Sequence, residues 1–423
     1  LAEQVPRRPR GERAGGTRLG TANTISPGKY ADAVGPHSLI PAKMSSFTWT
    51  HVRTGTLAAV CTIVMACPLL PRGPAYGQAD ATTVTWRAHP GGAHGFDAVA
   101  LADAVDRGGT LAPPLTSLLV ARGSTTVAEV YFNGRGPNQA ANLKSASKSV
   151  LSALTGIALA DDVLDGVNQP IGPFFPTLLA DAPRKQRITI DHLLTQQAGL
   201  ESTSFGNYGA WVRSRNWVAN ALRRPMVDRP GGEMIYSTGT THILGAVLAE
   251  ASGQSLRAFA QDRLFDPLGV QIRSWQQSPT GRYFGGNNLA LTPRGMLRFG
   301  QMYLNGGRFG GQQVVPTDWI NRSWRTYVRS TYRDHQYGYL WFTHTFGGER
   351  VAFAWGYGGQ YIFVVPRLNL VVVCTSSLRT RPSGGNDHNE HLLRLLAEHI
   401  IPAAQGPPGS PSWPPLSRPV FGW

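Results

Sequence analysis

Hydrophobic and polar positions follow two clear periods along this chain of 423 residues, with stretches of no period at either end. Leu115-Thr-Ser-Leu-Leu-Val-Ala121 and Thr126-Val-Ala-Glu-Val-Tyr-Phe132 are apolar runs rich in β-branched and aromatic residues, separated by the turn Arg122-Gly-Ser-Thr125. They predict two paired strands. From 145 to 160 the apolar positions Val150, Leu151, Leu154, Ile157 and Ala158 recur at helical spacing, which predicts a helix. Asp161-Asp-Val-Leu-Asp-Gly166 and the prolines Pro170, Pro173 and Pro176 end it. The middle of the chain is rich in loops, with helices expected over 190–194, 242–251 and 256–264. Strand patterns return at 338–345, 351–355, 360–365 and 370–375, and a last helix is expected over 389–400.

Strands at both ends with helices between them predict an α+β fold, an antiparallel sheet built from N- and C-terminal segments and flanked by helices. Residues 165–285 form a mainly helical subdomain beside it. No internal repeat is visible.

Residues 1–43 are rich in Arg, Gly, Pro and Ala and have no period. They read as a disordered or spurious upstream segment, since the first methionine is Met44. His51 and Arg53 precede an apolar run from Leu57 to Leu70, and Gly77-Gln-Ala79 follows. That layout predicts a signal peptide over 44–79 and export, periplasmic or secreted. The main globular domain would then be 80–404, with a Pro-rich tail over 405–423. Val64-Met-Ala-Cys67 also resembles a lipoprotein cleavage box, which would attach the chain to a membrane through Cys67. The run of about 14 apolar residues is short for a membrane span.

Composition narrows the partners. Apolar residues make up 42% and charged residues 15%, with a formal net charge of +15. Nucleic-acid binding needs the basic residues gathered on one element. The nearest case is Arg322, Arg325, Arg329 and Arg333, interleaved with Trp324, Tyr327 and Tyr332; a solvated helix face explains it, and no nucleic acid is expected. The cysteines are Cys61, Cys67 and Cys374. Cleavage of the leader leaves Cys374 alone, in an apolar strand pattern expected to bury an inert thiol.

The candidate chemistry starts at Ser145-Ala-Ser-Lys148, where a helix pattern begins. Positions i and i+3 share a helix face, so hydroxyl and amine can meet. A neutral lysine, its pKa lowered by burial, can serve as base to a serine nucleophile. A helix cap and a solvated lysine are the ordinary alternatives. Pro230-Gly-Gly-Glu-Met-Ile-Tyr-Ser-Thr-Gly239 offers Tyr236, either a core aromatic or a phenol that relays a proton. Trp355-Gly-Tyr-Gly-Gly-Gln360 offers either a Gly-rich hairpin or a strand edge whose N–H, with that of Ser145, makes an oxyanion hole.

Ser-x-x-Lys, then Tyr-Ser-x, then a Gly-Gly strand, in that order, resembles the serine β-lactamase-like superfamily of penicillin-recognising hydrolases. Ile188-Thr-Ile-Asp-His-Leu-Leu-Thr195, Leu264-Phe-Asp-Pro-Leu-Gly-Val270, Leu291-Thr-Pro-Arg-Gly-Met-Leu-Arg-Phe-Gly300 and Tyr361-Ile-Phe-Val-Val-Pro366 are also similar to it. The resemblance spans roughly 114–400 and is nearest to the class C-like esterase and 6-aminohexanoate-dimer hydrolase branch. It implies Ser145 as nucleophile, Lys148 as base, Tyr236 in proton transfer, and the backbone N–H groups of Ser145 and Gln360 as oxyanion donors. Thr238, Tyr357, Gly358 and Gly359 would meet a small ester or amide substrate. Thr238 stands where many relatives carry Asn, and Tyr357-Gly-Gly359 where β-lactamases carry Lys-Thr-Gly. A tyrosine cannot pair with a β-lactam carboxylate. A β-lactamase or D,D-peptidase is therefore the second reading, and a non-catalytic binding protein the third.

No Gly-x-Ser-x-Gly elbow, phosphate loop or dinucleotide fingerprint is present. Gly306-Gly-Arg-Phe-Gly-Gly311 reads as a turn. His388, His391, Glu390 and His399 are expected to be exposed rather than ligands, and neither metal nor organic cofactor is expected. Trp211, Trp217, Trp341, Trp355 and Tyr357 are candidates for an apolar pocket, though most are expected in the core.

Overall fold

An antiparallel sheet of nine strands organises the described residues. The computed structural model describes residues 84–85, 95–378 and 387–406, all within the unit Ala75–Trp423. The upstream segment, the signal peptide, Cys67 and nearly all of the Pro-rich tail lie outside the described residues. In chain order the strands are β1 (Val84–Thr85), β2 (Leu115–Arg122), β3 (Thr125–Tyr131), β4 (Val328–Arg329), β5 (Gln336–Tyr337), β6 (Phe342–Phe346), β7 (Glu349–Gly356), β8 (Gln360–Val365) and β9 (Leu370–Ser376). They lie side by side as β1-β3-β2-β9-β8-β7-β6-β5-β4. N- and C-terminal segments therefore meet at the β2–β9 ladder, where Val120 pairs with Val372 and Leu118 with Cys374.

Every residue of β2, β8 and β9 is buried. Their unbroken apolar runs follow from cover on both faces. Helix α1 (Ala98–Leu111) lies on one face, with Gly108 against Leu115, Leu118 and Leu395. Helix α4 (Pro293–Leu304) lies on the other, with Gly300 against Val371 and Ile362. Cys374 is buried in β9, and burial pushes its thiol up to about 12, so the inert-thiol expectation holds.

Helix α2 (Ser147–Ala160) is buried from Ser147 through Ala158 and packs on α3 (Thr238–Ser252). It is enclosed by its neighbours on all sides, so its polar residues Ser147, Lys148, Ser149, Ser152 and Thr155 are buried along with its apolar ones. Short helices fill the stretch between them, including Ile190–Leu194 and Trp217–Arg223.

Several elements depart from the sequence reading. Helices α1 and α4 were not expected. Both begin with a cap: Asp97 accepts from Val99 and Ala100, and Thr292 accepts from the Gly295 N–H with Pro293 in the first turn. The cap, joined by a proline at α4 only, was the missed start signal. Arg322 to Arg333 is no solvated helix face. The helix Thr317–Ser323 takes in Arg322 alone of the four arginines and ends one residue later, Trp324 is fully buried, and Val328–Arg329 is an edge strand. The last helix begins earlier, with α5 at Asp387–Arg394, and His388 is buried rather than exposed. Its Nε2 meets Ser376 Oγ at 2.9 Å. Among the described residues no group of His, Cys, Asp and Glu could hold a metal ion, and no helix is long and apolar enough to cross a membrane.

Candidate active site

Backbone bonds fix the start of α2 before any side chain acts. The Leu143 N–H donates to Leu289 O at 2.8 Å, and residues Ala141–Asn142 pair with Leu289–Leu291. Lys144–Ala146 then make one tight turn and α2 follows directly. Ser145 thus stands in front of the helix with Lys148 one turn behind. No side-chain cap forms at either start, so the helix-cap alternative for Ser145 does not hold.

Lys148 Nζ lies 3.2 Å from Ser145 Oγ, 3.3 Å from Thr238 Oγ1 and 3.0 Å from Gly286 O. The side chain is 2% exposed, and among the described residues no carboxylate pairs with it. Burial lowers its pKa to about 7, because the low-polarity surroundings penalise the charged form. A neutral amine has two hydrogens and one lone pair. Gly286 O and Thr238 Oγ1 take the hydrogens, which leaves the lone pair for the Ser145 hydroxyl. Thr238 is held in turn by Ser204, whose Oγ lies 3.1 Å from Thr238 Oγ1 and accepts from the Thr238 N–H at 2.9 Å.

Gly286 has φ +76°, and a methyl there would overlap Thr241 Oγ1 and come within 2.9 Å of Lys148 Cγ. Gly286→Ala should therefore destabilise the fold by about 3 kcal/mol through overpacking and a left-handed backbone. Chemical denaturation measures this, and turnover should fall with it as Lys148 is displaced.

Tyr236 is carried by the segment entering α3. Gln196 clasps that segment: its backbone O accepts from Ile235 and its Oε1 accepts from Ser237 at 2.7 Å. The Tyr236 ring centroid lies 4.9 Å from Lys148 Nζ. Burial raises the phenol to about 12, and hydrogen bonding with Ser145 opposes that rise. Ser145, Lys148, Tyr236 and Thr238 therefore meet at one point.

That point opens into a cavity of about 450 Å³ lined by Ser145, Tyr236 and Thr238 with Lys144, Ser204, Phe205, Tyr208, Asn287, Tyr332, Phe342, Trp355 and Tyr357. The walls are mostly aromatic. Tyr332 stands edge-on to Tyr236 at 5.5 Å between centroids, and edge-on to Trp355 at 5.9 Å. Trp211, Trp217 and Trp341 are buried core residues. The sequence reading missed Ser204, Phe205, Tyr208, Asn287, Tyr332 and Phe342. Phe205 and Tyr208 lie on short helical turns, Ser204, Asn287 and Tyr332 on loops and Phe342 at the start of β6, and Tyr332 was hidden inside the Arg-rich run.

The Gly-rich motif lies differently from the expectation. Strand β7 ends at Gly356, and β8 begins at Gln360, its partner across the ladder. Tyr357, Gly358 and Gly359 form the hairpin turn, the two glycines at φ +79° and +87°. Left-handed glycines close a tight turn instead of extending an edge. Gly358 and Gly359 therefore leave the pocket: a side chain on Gly359 would point at Ser376, His388 and Leu392. Gln360 is buried, and its amide bonds Ser376 O at 2.9 Å rather than lining the cavity. The strand end that reaches the pocket is Trp355-Gly356-Tyr357. Gly356 abuts the Leu143 carbonyl, where any side chain would overlap it.

Residues 101–397 match the Beta-lactamase family model. A curated relative, the 6-aminohexanoate-dimer hydrolase of Paenarthrobacter ureafaciens, is 25% identical over 288 residues, covering 62% of this chain and 72% of the relative. Among solved structures, the octameric penicillin-binding protein homologue from Pyrococcus abyssi superposes with a TM-score of 0.56 at 18% identity, covering 73% of this chain and 78% of its own. EstCE1, described as a hydrolase with promiscuous acyltransferase activity, gives 0.55 at 16% identity, covering 71% and 98%. With the antiparallel sheet and helices in agreement, the chain belongs to the beta-lactamase family, a family of serine hydrolases.

Proposed function

We propose that the protein cleaves an ester or amide bond through an acyl-enzyme on Ser145. The observation that carries this reading is the buried Lys148 amine, 3.2 Å from Ser145 Oγ and tuned by burial to about 7. A base near working pH combines a usable neutral fraction with adequate proton affinity.

The neutral Lys148 takes the Ser145 proton as Oγ attacks the substrate carbonyl carbon. The new Oγ–C bond pushes the carbonyl electrons onto oxygen. The N–H groups of Ser145 and Tyr357 are the donors assigned to that oxyanion, Tyr357 replacing Gln360 because it is the strand-end residue that lines the cavity. Collapse of the intermediate expels the alcohol or amine, which takes a proton by way of the Tyr236 phenol. Water then repeats the sequence and releases the acid. A 6-aminohexanoate-dimer hydrolase and an acyl-transferring hydrolase among the relatives support this chemistry.

A fluorophosphonate probe tests it. Incubation followed by peptide mass spectrometry should place the adduct on Ser145 alone, in step with loss of short-chain ester turnover. Turnover that persists with Ser145 unmodified, or an adduct on another serine that blocks it, would overturn the reading.

A further inference from the structure

The cavity that holds Ser145 is lined by one cationic side chain and no anionic one. Lys144, the residue before the nucleophile, lines it, and none of the other lining residues is acidic. Its Nζ donates to Asn288 Oδ1 at 3.1 Å, and among the described residues that is its one hydrogen bond and no carboxylate pairs with it. An ammonium carries three N–H groups, so two remain for a ligand.

This cation is built in. Lys144 has φ +49° and Asn288 φ +55°, both left-handed without being glycine. Asn142 locks the two together: its Oδ1 accepts from the Lys144 N–H at 2.9 Å and its Nδ2 donates to Asn288 Oδ1 at 3.1 Å. The Asn288 amide is anchored from behind, its Nδ2 donating to Gln276. Left-handed non-glycine backbone persists where surroundings over-determine it, and it gathers at functional sites. A half-buried ammonium held by a neutral amide, in a cavity walled by aromatic rings, has its counter-charge unfilled within the protein.

We propose that Lys144 is a carboxylate anchor, and that the preferred substrate is an ester or amide with an apolar body and an anionic group placed to reach it. This rests on the Ser145 acyl-enzyme reading and adds the substrate's charge class. The aromatic walls take up the apolar body, and Lys144 supplies a charge-assisted bond to the carboxylate. Lys148 cannot play that part, since its three contacts are already taken by Ser145, Thr238 and Gly286.

The test compares two 4-nitrophenyl esters of equal acyl length, the monoadipate and the hexanoate, on the full chain. The wild type should favour the monoadipate in kcat/KM. In Lys144→Met the ratio of monoadipate to hexanoate should fall by about tenfold, chiefly through KM, and Lys144→Arg should restore most of it. A hexanoate preference in the wild type, or an equal loss on both esters in Lys144→Met, would overturn the anchor. Fluorophosphonate labelling of Ser145 separates the two levels. Labelling with no charge preference sinks the anchor alone, whereas failure of labelling and of both turnovers sinks the acyl-enzyme reading beneath it.

Discussion

Ester turnover by Ser145→Ala should drop by about 10⁴-fold or more, to near the uncatalysed background, while the folded state barely changes. The large effect follows from the kind of step removed. A covalent intermediate cannot form without the hydroxyl, and among the described residues the other serine seen beside a basic side chain, Ser376 at 2.9 Å from His388 Nε2, does not line the cavity. Ser204 is the nearest substitute, yet its hydroxyl is tied to Thr238 at 3.1 Å. The small effect on folding follows from what remains. Lys148 keeps its bonds to Thr238 and Gly286, so the variant loses only the Ser145 hydrogen bonds with Lys148 and Tyr236, each worth about 1 kcal/mol. Steady-state kinetics beside a melting curve checks both halves. A variant that folds normally and retains a tenth of wild-type turnover would remove Ser145 from the reaction.

Lys148→Met should lower kcat by about 10³-fold, the range of a positioned general base. The pH dependence carries more information than the loss. In the proposed reaction Lys148 works as the neutral amine, so wild-type kcat/KM should rise with pH through about 7, where burial has placed its proton loss. Methionine fills a similar volume without a titrating group, and the limb near 7 should vanish with it. Lys148→Arg should not rescue, because a guanidinium keeps its charge at any working pH. The depressed pKa also bears on stability. Between about 7 and the ordinary lysine value of 10.5 the unfolded chain binds the extra proton, so stability should increase with pH across that window. A wild-type profile flat through 7, with the Met variant unchanged in shape, would take the base role away from Lys148.

Much of this was legible in the chain. The period of 145–160 announced a helix; Lys148 lies in it, and Ser145 sits in the tight turn just before it, with the hydroxyl and amine still meeting at 3.2 Å. The apolar runs at 115–121, 126–132, 360–365 and 370–375 became β2, β3, β8 and β9, since strands buried on both sides leave continuous signatures. Tyr236 and Thr238 reached the same point as the Ser-Lys pair. The Gly-rich motif was found but misread. Two consecutive glycines are compatible with an extended edge or a left-handed turn, and only the pairing of Gly356 with Gln360 selects the turn. That choice moved Gln360, Gly358 and Gly359 out of the cavity and brought Trp355 and Tyr357 to it.

By itself the sequence determined the fold class and singled out the candidate nucleophile, its candidate base and the tyrosine beside them, because those depend on local period and on short, fixed spacings. Tertiary structure alone decided the walls. Phe205 and Tyr208 come from one run of helical turns, Tyr332 from a loop and Phe342 from the start of β6, and their approach is set by the sheet order and by the packing of α2 on α3. It also decided the charge state at the centre. Nothing local in Ser145-Ala-Ser-Lys148 lowers a lysine to about 7; the enclosure by Tyr236, Thr238 and Gly286 does, since desolvation is a property of everything packed around a group.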